Sequence, residues 1–274
     1  MKFNEIYDSV NELECCTGIS DEDKSIMNAM LDWSINISIL PDSVSDITNI
    51  EDYAFMGCKN LALTELPNKI ERIGVSAFSG CNKLALTKLP DNLVTIEQDA
   101  FNGCGELNIT EMPDSVINIG YAAFSQCGKL PLNKLSNNLQ TIPDNAFYYC
   151  QKLSINKIPD SVISIGRSAF ASCYGLSLTE LSNNLQTIGD NAFYYCSGLE
   201  IYEIPASVIN IGNNVFERCY KMTALQFLGT PEVIADNAFA GTNLQYILVP
   251  WSENEVPGAP WGAPSNAMIF YDIK

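Results

Sequence analysis

The chain has 274 residues, with 15 Lys plus Arg against 32 Asp plus Glu, a formal charge of −17 and no histidine. That charge repels nucleic acid and anionic membrane surfaces, which are bound through Lys and Arg. The missing histidine removes Ser-His-Asp, Cys-His and His-ligated metal chemistry, while 47% apolar against 17% charged residues predicts a large core.

The first residues, MKFNEIYDSV, show no basic start followed by an apolar run. The expectation is therefore a chain without a secretory signal, cytoplasmic or virion-associated rather than Sec-secreted. No stretch approaches the roughly 18 apolar residues of a membrane span, so membrane insertion is not expected. Residues 1–40 read as a helical N-terminal cap with helices over about 3–14 and 21–33. Phe3, Ile6, Tyr7, Val10 and Leu13 fall at helical spacing, and Ser20 with Asp23 makes a capping box for the second helix. The alternative is a docking device for assembly. Cys15-Cys16 stand between the two helices with no second pair nearby, which leaves little basis for a redox or metal role.

Residues 41–248 are a repeat array. Phe followed three positions later by Cys recurs at Phe55/Cys58, Phe78/Cys81, Phe101/Cys104, Phe124/Cys127, Phe147/Cys150, Phe170/Cys173, Phe193/Cys196 and Phe216/Cys219, always at the same interval. A ninth copy keeps Phe239 but has Thr242 for Cys. So regular a period predicts a mainly β solenoid of about nine 23-residue rungs, each burying its apolar face against its neighbours. Leu84–Thr87 and Leu107–Thr110 alternate apolar and polar residues and are expected to be the strands. Pro90-Asp91 and Pro113-Asp114 then turn the chain, and Leu93–Ile96 adds a second short apolar edge. A longer period lies above the first: Leu135–Cys150 and Leu181–Cys196 differ at one position and lie two units apart.

The pattern L-P-x-x-[VIL]-x-x-I-x-x-x-A-F-x-x-C-x-x-L resembles the BspA-like, or treponemal-type, leucine-rich repeat, whose unit has the same length. The resemblance implies a leucine-rich-repeat-like solenoid and a surface-associated adhesion or protein-binding role. One departure is visible. Where the family often has an apolar residue three after the Leu, this chain has Thr87, Thr110, Asn133 or Asn156, and the apolar residue sits one place earlier, at Leu86, Ile109, Leu132 and Ile155. Only the last units, with Leu225 and Ile247, follow the commoner pattern.

Residues 249–274 break the period and read as an irregular C-terminal cap, with Trp251, Trp261 and a strand-like Ala267–Tyr271 closing the last rung. This segment loosely resembles the Trp-Gly-Ala tails of phage-encoded repeat proteins, which implies a virion setting.

Chemistry finds few footholds. The eight periodic cysteines stack in a column with parallel Cβ vectors, a geometry that suits small buried hydrophobes better than disulfides or a metal site. No phosphate loop, nucleophile elbow or metal motif appears, so neither catalytic residues nor cofactors are expected. Contact surfaces are better candidates. One is the outward row Thr87, Thr110, Asn133, Asn156, Thr179 and Tyr202, beside the charged column Glu65, Lys88, Glu111, Lys134, Lys157, Glu180 and Glu203. That column also suits the plainer role of fixing register and solubility. The other is Tyr148-Tyr149 and Tyr194-Tyr195, which flank buried Phe positions where other units carry small or polar residues. Exposed Tyr favours interfaces, because it buries area at low entropic cost. The function expected is non-enzymatic recognition or adhesion toward a protein or glycan. A virion or tail-associated structural protein and an intracellular scaffold are the alternatives, with assembly through residues 1–40 or 249–274.

Overall fold

Once per repeat the chain returns to a residue that faces outward followed by an inward Ile. In the computed structural model, which describes residues 47–273, these pairs form two-residue strands. They are β1 (Asn49–Ile50), β2 (Arg72–Ile73), β3 (Thr95–Ile96), β4 (Asn118–Ile119), β5 (Thr141–Ile142), β6 (Ser164–Ile165), β7 (Thr187–Ile188), β9 (Asn210–Ile211) and β11 (Val233–Ile234). With one exception each pairs in parallel with the next rung, shifted by one repeat and with Ile over Ile. The alternation of inward Ile and outward predecessor is the period-two geometry of a strand with one buried face.

The exception divides the column into sheets β1-β2-β3-β4 and β5-β6-β7-β9-β11. The cause is a single residue. Gly120, Gly166 and Gly189 each donate their N–H to the Ile carbonyl one rung back. Pro143 stands at the same position and has no N–H to give to Ile119.

The expected strands at Leu84–Thr87 and Leu107–Thr110 do not form as regular strands. Leu107 and Ile109 point inward, but Thr110 and Glu111 are then both exposed, and this second outward residue breaks the alternation. What remains are single inter-rung bonds, such as Asn133 N–H to Thr110 O at 2.8 Å, and two isolated bridges, Glu111 with Lys134 and Lys157 with Glu180. In the last turns Leu225-Gln226-Phe227 alternates strictly. There a sheet does form, in the order β13 (Met268–Phe270), β12 (Tyr246–Leu248), β10 (Ala224–Phe227), β8 (Glu203–Ile204). The same segment of the repeat is thus ladder or loop according to where its second apolar residue falls.

The core is a stack of like on like. Successive Phe rings from Phe55 to Phe239 lie face to face with centroids 5.1–5.6 Å apart. Every Cys from Cys81 to Cys219 is buried and donates its S–H to the carbonyl of the Phe 26 residues earlier, at 2.9–3.2 Å. Among the described residues the cysteines, Cys58 to Cys219, form no disulfide. The array amounts to about ten turns rather than the nine expected, because residues 249–273 add a closing turn. Trp251 and Trp261 are buried there, 6.1 Å apart, against Phe227, and β13 pairs with β12. No helix occurs among the described residues. The expected N-terminal helices and Cys15-Cys16 lie outside them.

Candidate functional site

Most turns have two left-handed positions, of which the first lies two residues before the core Phe, as at Ser76, Asn145 and Asn191. The second, two residues after the core Phe, is glycine in several rungs: Gly57, Gly80, Gly103 and Gly241 all have φ between 64° and 76°. Gln126, Tyr149, Ser172, Tyr195 and Arg218 occupy the same position with φ of 56–63°. Side chains are disfavoured there by roughly 1–2 kcal/mol. Tyrosine therefore stands at two places where the fold itself would prefer glycine.

Those tyrosines do not stand alone. Tyr148 and Tyr149 lie 6.3 Å apart, Tyr149 meets Tyr174 edge-on at 6.2 Å, and Tyr174 meets Tyr195 at 5.1 Å. Tyr195 in turn contacts Tyr194 and Tyr220, each at 6.2 Å. The Arg218 guanidinium lies 5.9 Å from the Tyr194 ring and 5.7 Å from Tyr195, the range of a cation–π contact. Between the two pairs, Ala171 and Ser172 are buried, so the intervening rung makes room for the rings instead of adding to them. Tyr148 and Tyr149 remain 39% and 41% exposed, whereas Tyr194 and Tyr195 are half-buried. The result is a ridge of six tyrosines and one arginine across four rungs, about 15 Å at the spacing of paired strands.

The sequence pointed to four of these six rings. Tyr174 and Tyr220 follow the core Cys directly, a position held by Asn82, Gly105 and Gln151 in other rungs. The signal that finds them is the column taken across rungs, not the single turn.

The second expected surface is partly spent on the fold. Thr87, Thr110, Asn133, Asn156, Thr179 and Tyr202 are all exposed. Yet the Thr87 and Thr179 hydroxyls donate to carbonyls of the preceding rung, Thr64 and Asn156, at 3.3 and 3.2 Å. Lys157 reaches Glu180 at 3.3 Å across the charged column. Asn133, Asn156, Lys134 and Lys157 border a shallow depression of about 470 Å³.

Burial pushes the Cys104 and Cys196 thiols up to about 12, against the lowering by a backbone N–H, which leaves them protonated and unreactive at neutral pH. Among the described residues no group of three His, Cys, Asp or Glu is arranged to hold a metal, and no helix is long and apolar enough to cross a membrane.

Against known proteins, the family described as BspA type leucine rich repeat region matches residues 48–173 and 140–258 in six copies. A leucine-rich-repeat protein of Treponema pallidum is 30% identical, with 68% of this chain and 74% of that chain covered at a TM-score of 0.49. A leucine-rich cell-surface protein of Faecalibacterium prausnitzii is 26% identical over 67% of this chain and 64% of its own, at a TM-score of 0.38. A pneumococcal vaccine antigen is 20% identical over 83% and 72%, at 0.46. No curated protein matches the chain.

Proposed function

Because the chain belongs to the BspA-type leucine-rich-repeat family, we propose that it is a recognition module that binds a protein partner through the tyrosine ridge of residues 148–220. The family relation itself points to a protein-interaction or adhesion module, and leucine-rich-repeat proteins of this type are generally not enzymes. The observation that carries the finer reading is Tyr149 and Tyr195 at left-handed positions, where glycine would serve the fold better. Strain retained at a surface aromatic is a pointer to function. The ridge, six tyrosines and one arginine, is also built from residue types enriched at contact hot spots. Its one cation is matched, since Arg218 lies 3.6 Å from Glu217. A partner there meets a nearly neutral patch on a strongly acidic molecule.

Residues 1–40 and 249–274 are the proposed ends of this module, flanking the array at 41–248. No feature of the described residues favours a virion or scaffold role over this one.

The test places a photo-crosslinking amino acid at Ser197, beside the ridge, and identifies the captured protein. Its affinity is then measured for the wild-type chain and for the variant with Tyr148, Tyr149, Tyr194 and Tyr195 replaced by Ser. Loss of about 2 kcal/mol or more, the scale of a hot-spot residue, is expected. Unchanged affinity of every captured partner for the variant would sink the ridge.

A further inference from the structure

A second surface, on a different part of each turn, has the chemistry of a polymer-binding trough. Where the short strands β5, β6, β7, β9 and β11 run side by side, a groove of about 850 Å³ extends over five rungs. One wall is the outward row Thr141, Ser164, Thr187 and Asn210, ended at the fifth rung by the apolar Val233. The opposite wall is Asp144, Arg167, Asp190 and Asn213. Between them the floor carries no side chain over the three middle rungs, at Gly166, Gly189 and Gly212, and is closed at its ends by Pro143 and Ala235.

At these three rungs the local backbone leaves no room for a side chain. A Cβ on Gly166 or Gly212 would collide with Asp144 or Asp190, and one on Gly189 would come within 2.8 Å of the Arg167 backbone. Toward the N-terminus the run is interrupted by Glu97 between Gly74 and Gly120, and by Pro143. The trough is therefore a property of the C-terminal half. At its entrance stands Tyr121, 48% exposed, with its hydroxyl held at 3.1 Å by Asn145 Nδ2.

We propose that this trough binds an extended, neutral, linear polysaccharide laid along the solenoid axis. Three rung steps of roughly 4.8 Å give about 14 Å of repeating polar wall, and that step is close to the length of one pyranose in an extended chain. Sugar hydroxyls both donate and accept. The walls offer matching hydroxyls, amides and carboxylates, a set that serves both roles. The polar groups are already fixed. Asp144 and Asp190 each hold a backbone N–H of the next rung, at 2.7 and 2.8 Å, and Arg167 lies 3.9 Å from Asp190. Preorganised groups lose little entropy on binding.

Charge selects within the glycans. The walls carry two carboxylates and one guanidinium, a net of −1, which repels a polyanion. An extended peptide is disfavoured for a different reason. It would need a free strand edge for its backbone, whereas the trough presents the face of a sheet. The exposed Tyr121 ring supplies the apolar platform on which one face of a pyranose can stack.

The experiment is calorimetric titration of the full chain with neutral linear hexasaccharides of glucose, mannose and xylose in β-1,4 and β-1,3 linkage, together with hexagalacturonate. At least one neutral hexasaccharide is expected to bind, at least about tenfold more tightly than its disaccharide. Thr187→Arg is expected to abolish that binding. It is tolerated by the fold, since Arg72 occupies the same column in β2, and a thermal melt verifies this. Tyr121→Ala should weaken binding by about tenfold, while the four-tyrosine Ser variant should leave it unchanged. No binding by any neutral oligosaccharide at millimolar concentration, preference for hexagalacturonate, or indifference to Thr187→Arg overturns the proposal. Since the ridge variant is read separately, failure here leaves the protein-binding reading standing, and failure there leaves this one.

Discussion

Tyr149 and Tyr195 hold φ of 60° and 56°, so a substitution there changes two things at once: the ring contacts and the backbone preference. Alanine removes the ring and keeps the strain, whereas glycine removes both. Tyr195→Gly is therefore expected to unfold at higher denaturant than Tyr195→Ala, by about 1 kcal/mol, although alanine is the closer match in size. Equal midpoints would mean that the left-handed turn is not strained. The buried thiols make a second residue-scale prediction. With Cys104 and Cys196 near 12, roughly one thiol in ten thousand is ionised at pH 8. In a Cys15→Ser, Cys16→Ser variant, a thiol-exchange reagent should label no more than the half-buried Cys58 until denaturant is added. Rapid labelling of several cysteines in the native state would contradict the stacked column. The tyrosine pairs and the cysteine column were readable from spacing alone. The strain at Tyr149 and the linking rings of Tyr174 and Tyr220 were not, because φ and ring contact depend on how one rung sits over the next.

Single side chains also hold the turn segments in register. The Asp91 N–H donates to Asn68 Oδ1 at 2.7 Å, Asn137 N–H to Asp114 Oδ1 at 2.9 Å, and Asn183 N–H to Asp160 Oδ1 at 3.0 Å, each across one repeat. This Asn/Asp ladder satisfies backbone donors that no strand covers. The Asn137 backbone N–H, with help from its side chain and from Lys134, holds the Asp114 carboxyl below the usual range. A depressed native pKa adds stability that is present above the unfolded value near 4 and is lost as pH falls through and below it. In urea unfolding at pH 7 and pH 3, Asp114→Asn should lose less on acidification than the wild type. A larger loss in the variant would refute the assignment. Asn already stands at the ladder positions Asn68, Asn137 and Asn183, so the substitution suits its site. The element scale is also where sequence reasoning slipped. Alternation at Leu107–Ile109 is real, but one further outward residue decides whether a ladder forms. The Thr95–Ile96 strand falls within the Leu93–Ile96 edge, but two residues are too few for alternation to mark that edge as the main ladder. Only the register shared by nine copies makes it visible.

At the scale of the molecule, stability is carried between neighbours. Each rung touches only the rungs above and below, so the array is close to a one-dimensional chain of coupled units. The Phe stack is the clearest coupling, with Phe147 5.4 Å from both Phe124 and Phe170. A lesion there acts in the middle of the column, just after Pro143 has already interrupted the strand ladder between β4 and β5. Phe147→Ala should cost about 3–5 kcal/mol, as for a large aromatic removed from a packed core. It should also uncouple the two halves, so that denaturant unfolding broadens into two steps. Phe239 stacks face to face on Phe216 and is otherwise met edge-on by Phe227 of β10. Phe239→Ala should destabilise the C-terminal turns first and leave the remainder unfolding as one unit. Hydrogen exchange distinguishes the two: faster exchange centred on residues 119–170 in the first variant, and confined to residues beyond about 220 in the second. Uniform acceleration along the whole chain in both would mean that the solenoid unfolds all-or-none, and that the break at Pro143 carries no energetic weight.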